Sequence, residues 1–158
     1  MKLKIAIIAV LFLVVAVAEL FYFRFYTYFQ TQEVSETPPV TSDNLSNNLN
    51  VIVQGQFMKV DAIHKGSGTA QIIEQNGKRY LRFENFEVTN GPDLYVYLSE
   101  SKTPSNDLKS LGKYISLGRL KGNIGDQNYE TPEQFKGYNT AVIWCQKFGV
   151  LFSYAIMH

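Results

Sequence analysis

One cysteine (Cys145), one tryptophan (Trp144) and two histidines (His64 and His158) are all that this chain offers of the chemically most distinctive side chains. His158, the last residue, is expected to fray. A single cysteine excludes an intramolecular disulfide, and C-x-x-C, C-x-x-C-H, H-E-x-x-H and phosphate-binding glycine loops are all missing. So few nitrogen and sulfur donors put a structural zinc site out of reach. A triad of Cys145, His64 and an acid such as Asp61 or Asp93 is conceivable, because triads assemble in space rather than along the chain. Charge is lacking too: the net value is +1, so the basic stripe of a nucleic-acid binder is not there and no nucleic-acid partner is expected. The acid-bearing turns at Asp93 and Asp126 fall short of the carboxylate density of a calcium loop and read as solvated turns. No internal repeat is visible. Beyond the N-terminal segment, no stretch keeps a helical period over three turns.

What the chain does have is an apolar start. Lys2 and Lys4 precede an unbroken apolar run from Ile5 to Ala18. Two readings compete. Ala16-Val17-Ala18 has the A-x-A form of a signal-peptidase site, which would release a secreted chain opening at Glu19. Alternatively the run continues to Phe23, about the length that spans a bilayer, and the aromatics from Phe21 to Phe29 form an interfacial belt around Arg24. The second is favoured, because a free terminus reading ELFYFRFYTYF would expose seven aromatics to water. Residues 1–29 are therefore expected to be a signal-anchor, and the remainder to lie on the extracytoplasmic side, periplasmic or extracellular.

Residues 30–50, QTQEVSETPPVTSDNLSNNLN, are Ser, Thr, Asn, Gln and Pro with almost no large apolar side chain. Such a segment buries too little to offset its ordering entropy and is expected to be a disordered tether. Asn44-Leu45-Ser46 is a glycosylation sequon.

Residues 51–158 read as short strands between turns. Candidates run over Val51–Val60, Thr69–Glu74, Lys78–Phe83, Phe86–Val88, Asp93–Ser99, Tyr114–Leu120, Ala141–Cys145 and Val150–Met157. Asn76-Gly77 is a strong hairpin signal. Leu94, Val96 and Leu98 alternate with Tyr95 and Tyr97, placing the two sets on opposite faces. Glu100–Ser110 and Lys121–Asn128 read as surface loops, and Pro132 suits the start of a short helical turn. This number and spacing of strands predicts an all-β domain, an antiparallel β-sandwich or a partly open barrel.

Cys145 closes an apolar strand. Alternation puts it with Ala141 and Ile143, and puts Trp144 with Val142 on the other face. The turn Gln146-Lys147-Phe148-Gly149 follows. Lys147 beside it would favour a thiolate, whereas apolar burial would make Cys145 a small core hydrophobe.

The succession HKGSGTAQI, YLRFENFEV, NGPDLYVYLS, YISLGRLKGNIGDQNYE and VIWCQKFGVLFSYA resembles the DM13 domain over roughly Gly55 to Met157, with the blocks in the expected order. The resemblance implies an extracytoplasmic β domain that acts in electron transfer. It also implies that Cys145 is the redox centre, as a bare thiol or as a ligand to a prosthetic group such as haem. As an iron ligand Cys145 would be a thiolate donor, with His64 or Met157 as candidate partners. Without a fused DOMON or cytochrome domain, the electron partner would be a separate redox protein. The alternative reading is a non-catalytic binding or adhesion domain that presents Glu100–Ser110 and Lys121–Asn128. Neither reading makes the chain a stand-alone enzyme.

Overall fold

A computed structural model describes residues 2–26, 31–39, 49–135 and 137–158. The chain divides into two compact units, 1–30 and 31–158. The first is helix α1, Lys2–Tyr26. Its described side chains, residues 7–22, are all exposed. Among the described residues no helix is long and apolar enough to cross a membrane. The belt residues Phe23 to Phe29 lie outside the described side chains.

Among its described residues the second unit holds ten strands: β1 Glu33–Ser35, β2 Asn50–Gln56, β3 Met58–Lys59, β4 Gly66–Gln75, β5 Lys78–Val88, β6 Leu94–Ser99, β7 Tyr114–Arg119, β8 Ile124–Thr131, β9 Thr140–Cys145 and β10 Val150–Ile156. They form two five-stranded sheets, β1-β8-β5-β4-β2 and β3-β10-β9-β6-β7, which do not close into a barrel. All pairings are antiparallel except β1 with β8, which is parallel.

Inward residues of both sheets meet in one core. Ala70, Ile72, Leu81, Phe83 and Phe86 come from the first sheet, and Leu94, Val96, Leu98, Ile143, Cys145 and Phe152 from the second. At its centre Phe57 packs edge-on to Phe83 at 4.9 Å between ring centroids. The alternation expected in β6 holds: Leu94, Val96 and Leu98 enter this core, while Tyr95 and Tyr97 join a second cluster with Trp144, Val142 and Leu151 on the outer face. The β4–β5 hairpin turns at Asn76 and Gly77 with φ of 53° and 73°, both in the left-handed region that an Asn-Gly hairpin needs.

Three expectations need correction. The spacer is not structureless throughout, because residues 33–35 form β1 on the edge of the first sheet. What holds it is polar rather than apolar. Glu36 pairs with Lys121 at 2.7 Å and accepts from the Asn128 backbone N–H at 2.8 Å, and Arg82 donates to the Glu36 carbonyl at 3.1 Å. The carboxyl of Glu36 is held below its ordinary value; burial raises it, and the contacts with Lys121 and Asn128 outweigh that. Residues 40–48, with the sequon at Asn44, lie outside the described residues. Second, the loop expected over Lys121–Asn128 is mostly β8. Its inward residue Gln127 has no exposed surface and meets its polar needs locally, donating to Gly122 O at 2.8 Å and accepting from the Tyr129 hydroxyl at 2.7 Å. Third, His158 does not fray: its backbone exchanges hydrogen bonds with Gln54 at 3.1 and 3.3 Å.

Candidate functional site

Cys145 is the last residue of β9, between Leu94 of β6 and Val150 of β10. The turn after it is tied down by Gly149 N–H on the Cys145 carbonyl at 2.9 Å and by Gln146 N–H on the Asp93 carbonyl at 3.0 Å. β9 is buried along its whole length, so both its faces are covered, as its two apolar faces imply. Cys145 has no exposed surface and belongs to the inter-sheet core. Lys147 is exposed in the turn, its ammonium 5.9 Å from the Phe148 ring.

His64 lies in the turn between β3 and β4. Asp61 builds that turn: its Oδ1 accepts the backbone N–H groups of Ile63 and His64, each at 2.7 Å, and its Oδ2 faces His64 Nδ1 at 2.7 Å. These bonds, the one from the His64 ring foremost, bring the Asp61 carboxyl down to about 2. The His64 imidazole meets the Phe152 ring at 4.5 Å between centroids. Phe152 sits at a register shift between β9 and β10, where the extra residue of the bulge re-aims its ring into the core that holds Cys145. The Thr89 hydroxyl donates to Ile63 O at 2.9 Å and anchors the His64 turn to the β5–β6 connection.

The fold thus brings His64 and Cys145 into one neighbourhood, one packed on Phe152 and the other in the same cluster as Phe152. It does not join them: among the described residues no hydrogen bond links the sulfur to the imidazole. Asp93 is occupied elsewhere, with Arg119 at 2.6 Å. Asp61, not Asp93, partners His64, and no nucleophilic triad forms. Met157 is buried beyond the far end of β10 from Val150, roughly 20 Å along the strand from Cys145.

A prosthetic group on Cys145 is not accommodated by this arrangement. The sulfur-bearing residue is sealed among apolar side chains, and among the described residues no group of three His, Cys, Asp or Glu side chains could hold a metal ion. Haem therefore has no place at Cys145 in this conformation. The open groove of about 560 Å³ next to β9 lies on its opposite face, lined by Trp144, Tyr97, Tyr114, Gln146 and Asn106. Sequence reasoning placed Trp144 in the core, where it is 3% exposed. It missed this groove, because the groove's outer wall comes from the polar Glu100–Ser110 segment folding back, through Asn106 Oδ1 accepting Leu151 N–H at 2.8 Å.

Residues 56–157 match the family described as electron transfer DM13, a span that covers β3 to β10 and only the last residue, Gln56, of β2. The chain belongs to the DM13 family. No curated protein and no solved structure matches it.

Proposed function

We propose that the chain is an extracytoplasmic DM13 electron-transfer domain, held at a membrane by residues 1–29, that exchanges electrons with a separate redox protein through a centre at Cys145. The family match over residues 56–157 carries this reading. The membrane part rests on α1, whose described side chains from Ile7 to Tyr22 are exposed and almost entirely apolar. A helix that is apolar all round requires an apolar surrounding.

The burial of Cys145 restricts how such a domain works. Thiol–disulfide exchange requires one sulfur to attack another through a mixed disulfide. A sulfur without exposed surface is closed to that attack, which also explains how an unpaired thiol persists in an oxidising compartment. One-electron exchange at a distance requires no such contact: the Cys145 thiol gives an electron to the oxidised partner protein and a proton to solvent, leaving a thiyl radical, and an electron from the reduced partner and a proton restore the thiol. The edge-on His64–Phe152 contact is a described ring contact between the core around Cys145 and the surface turn at Asp61.

Film voltammetry on the full chain in lipid nanodiscs tests this. A reversible wave in the wild type that disappears in Cys145→Ala is the expected result. No wave in the wild type overturns electron transfer, and a wave that survives in Cys145→Ala overturns Cys145 as its centre.

One observation favours a second reading, a non-catalytic binding domain: the groove beside Trp144, which takes Asn106, Asp107 and Leu108 from the Glu100–Ser110 segment. Full biological activity in a Cys145→Ser variant would decide for it.

A further inference from the structure

At the opposite end of β9 from Cys145 lies a second cavity, of about 220 Å³. Its apolar wall includes Val53, Ile72 and Leu98, from three different strands. Three hydrogen-bond donors line it as well: Arg79, Thr131 and Asn139. Arg79 and Thr131 face each other across the β5–β8 ladder.

Among the described residues these donors are only partly committed. Arg79 is only 11% exposed at its side chain, and its hydrogen bonding to described residues is limited to Nε with Glu74 Oε2 at 2.9 Å. Its two terminal nitrogens, the Thr131 hydroxyl and the Asn139 carboxamide make no side-chain hydrogen bond to any described residue. Yet among the described residues no fully buried side-chain nitrogen or oxygen lacks a partner. Toward the described residues, the space these groups face is open. For Thr131, 8% exposed, that space is the cavity it lines. Buried polar groups are normally satisfied, so a donor set left open at the mouth of an apolar cavity marks a place for an acceptor-bearing ligand.

We propose that this cavity binds a small amphiphilic carboxylate, with its apolar body among Val53, Ile72 and Leu98 and its carboxylate on Arg79, Thr131 and Asn139. Size limits the body to one ring or a short chain, since a cavity of about 150 Å³ already takes benzene. The donor geometry selects the head, because the two terminal nitrogens of a guanidinium match a carboxylate in a bidentate fork. Charge selects a monoanion. Arg79 already shares its charge with Glu74, and a dianion would bring a second negative charge into a half-enclosed site with nothing to balance it. The site is independent of the electron-transfer reading, and the failure of either leaves the other standing.

The test uses 4-fluorophenylacetate as probe, followed by fluorine NMR, with the full chain in lipid nanodiscs and empty nanodiscs as the blank. The neutral comparison is 2-(4-fluorophenyl)ethanol. Saturable binding of the acid with a Kd of about 1 mM or tighter, at least tenfold tighter than the alcohol and lost in Arg79→Met, is expected. Three results overturn the proposal: no saturable signal above the blank, equal affinity for acid and alcohol, or undiminished binding in a folded Arg79→Met protein. If Arg79→Met does not fold, the comparison of acid with alcohol on the wild-type protein decides.

Discussion

Replacing Cys145 by serine exchanges a sulfur for a hydroxyl of nearly the same shape, and replacing it by alanine removes the group altogether. Cys145 has no exposed surface and sits among Leu94, Ile143, Phe152 and other apolar side chains. Alanine loses a small buried group and leaves a small void, at a cost of about 1 kcal/mol. Serine is nearly isosteric but brings a hydroxyl into an apolar core, where an unpaired polar group costs about 1–3 kcal/mol. The expected order is wild type most stable, then Cys145→Ala, then Cys145→Ser, with about 1 kcal/mol between the two variants at the middle of those ranges. Urea unfolding of the full chain in detergent measures it. Trp144 is a built-in reporter, because it is the only tryptophan, it neighbours Cys145 in sequence and it is 3% exposed. A serine variant as stable as the alanine variant would refute the reasoning, since it would mean that position 145 finds a hydrogen-bond partner or water.

Two further predictions concern other parts of the domain. Gly125 has φ of 100°, and a Cβ there would lie 2.0 Å from the Val34 carbonyl oxygen, so Gly125→Ala should strain the backbone by about 1–3 kcal/mol and push β1 off the sheet. Hydrogen exchange at Val34 and Ser35 should then accelerate while β4 and β5 stay protected; unchanged exchange at those two residues would sink the idea. Asp61 titrates at about 2 in the folded domain, below its ordinary value of about 3.9. Its depressed value means that its stabilising contribution is present above about pH 4 and is lost as pH falls toward about 2. The gap in urea midpoint between wild type and Asp61→Asn should therefore shrink across that window, and a gap that stays constant would count against the His64–Asp61 contact.

The architecture was legible where burial follows the strand period. In β5, Leu81 and Phe83 enter the inter-sheet core while Tyr80 and Arg82, which alternate with them, do not, and in β9 alternation puts Cys145 in that core and Trp144 in the outer cluster. It was illegible where polar chemistry does the holding. β1 contributes little apolar surface, and Glu36, Lys121, Arg82 and Asn128 secure it through contacts between residues some 46 to 92 positions apart. No local pattern encodes such pairs. β8 was hidden for a related reason: its inward Gln127 reads as a loop residue until Gly122 and Tyr129 are seen to satisfy it. Arg82, on the opposite face of β5 from Leu81 and Phe83, is 2% exposed because it bridges Glu84, Asp126 and the β1 segment. For the candidate site, the sequence supplied Cys145 and His64 as residues worth following. The bulge at Phe152, which sets its ring between the His64 turn and the core of Cys145, depends on a register that only the paired strands reveal.

This DM13 domain keeps its one thiol sealed, so that whatever electrons pass do so without sulfur-to-sulfur contact. Timed reaction of the native full chain with N-ethylmaleimide, followed by intact-mass measurement, tests it most directly. Cys145 should stay unmodified in native buffer for as long as the domain remains folded and should react completely once urea unfolds it. Rapid, complete labelling of the folded protein would contradict the claim.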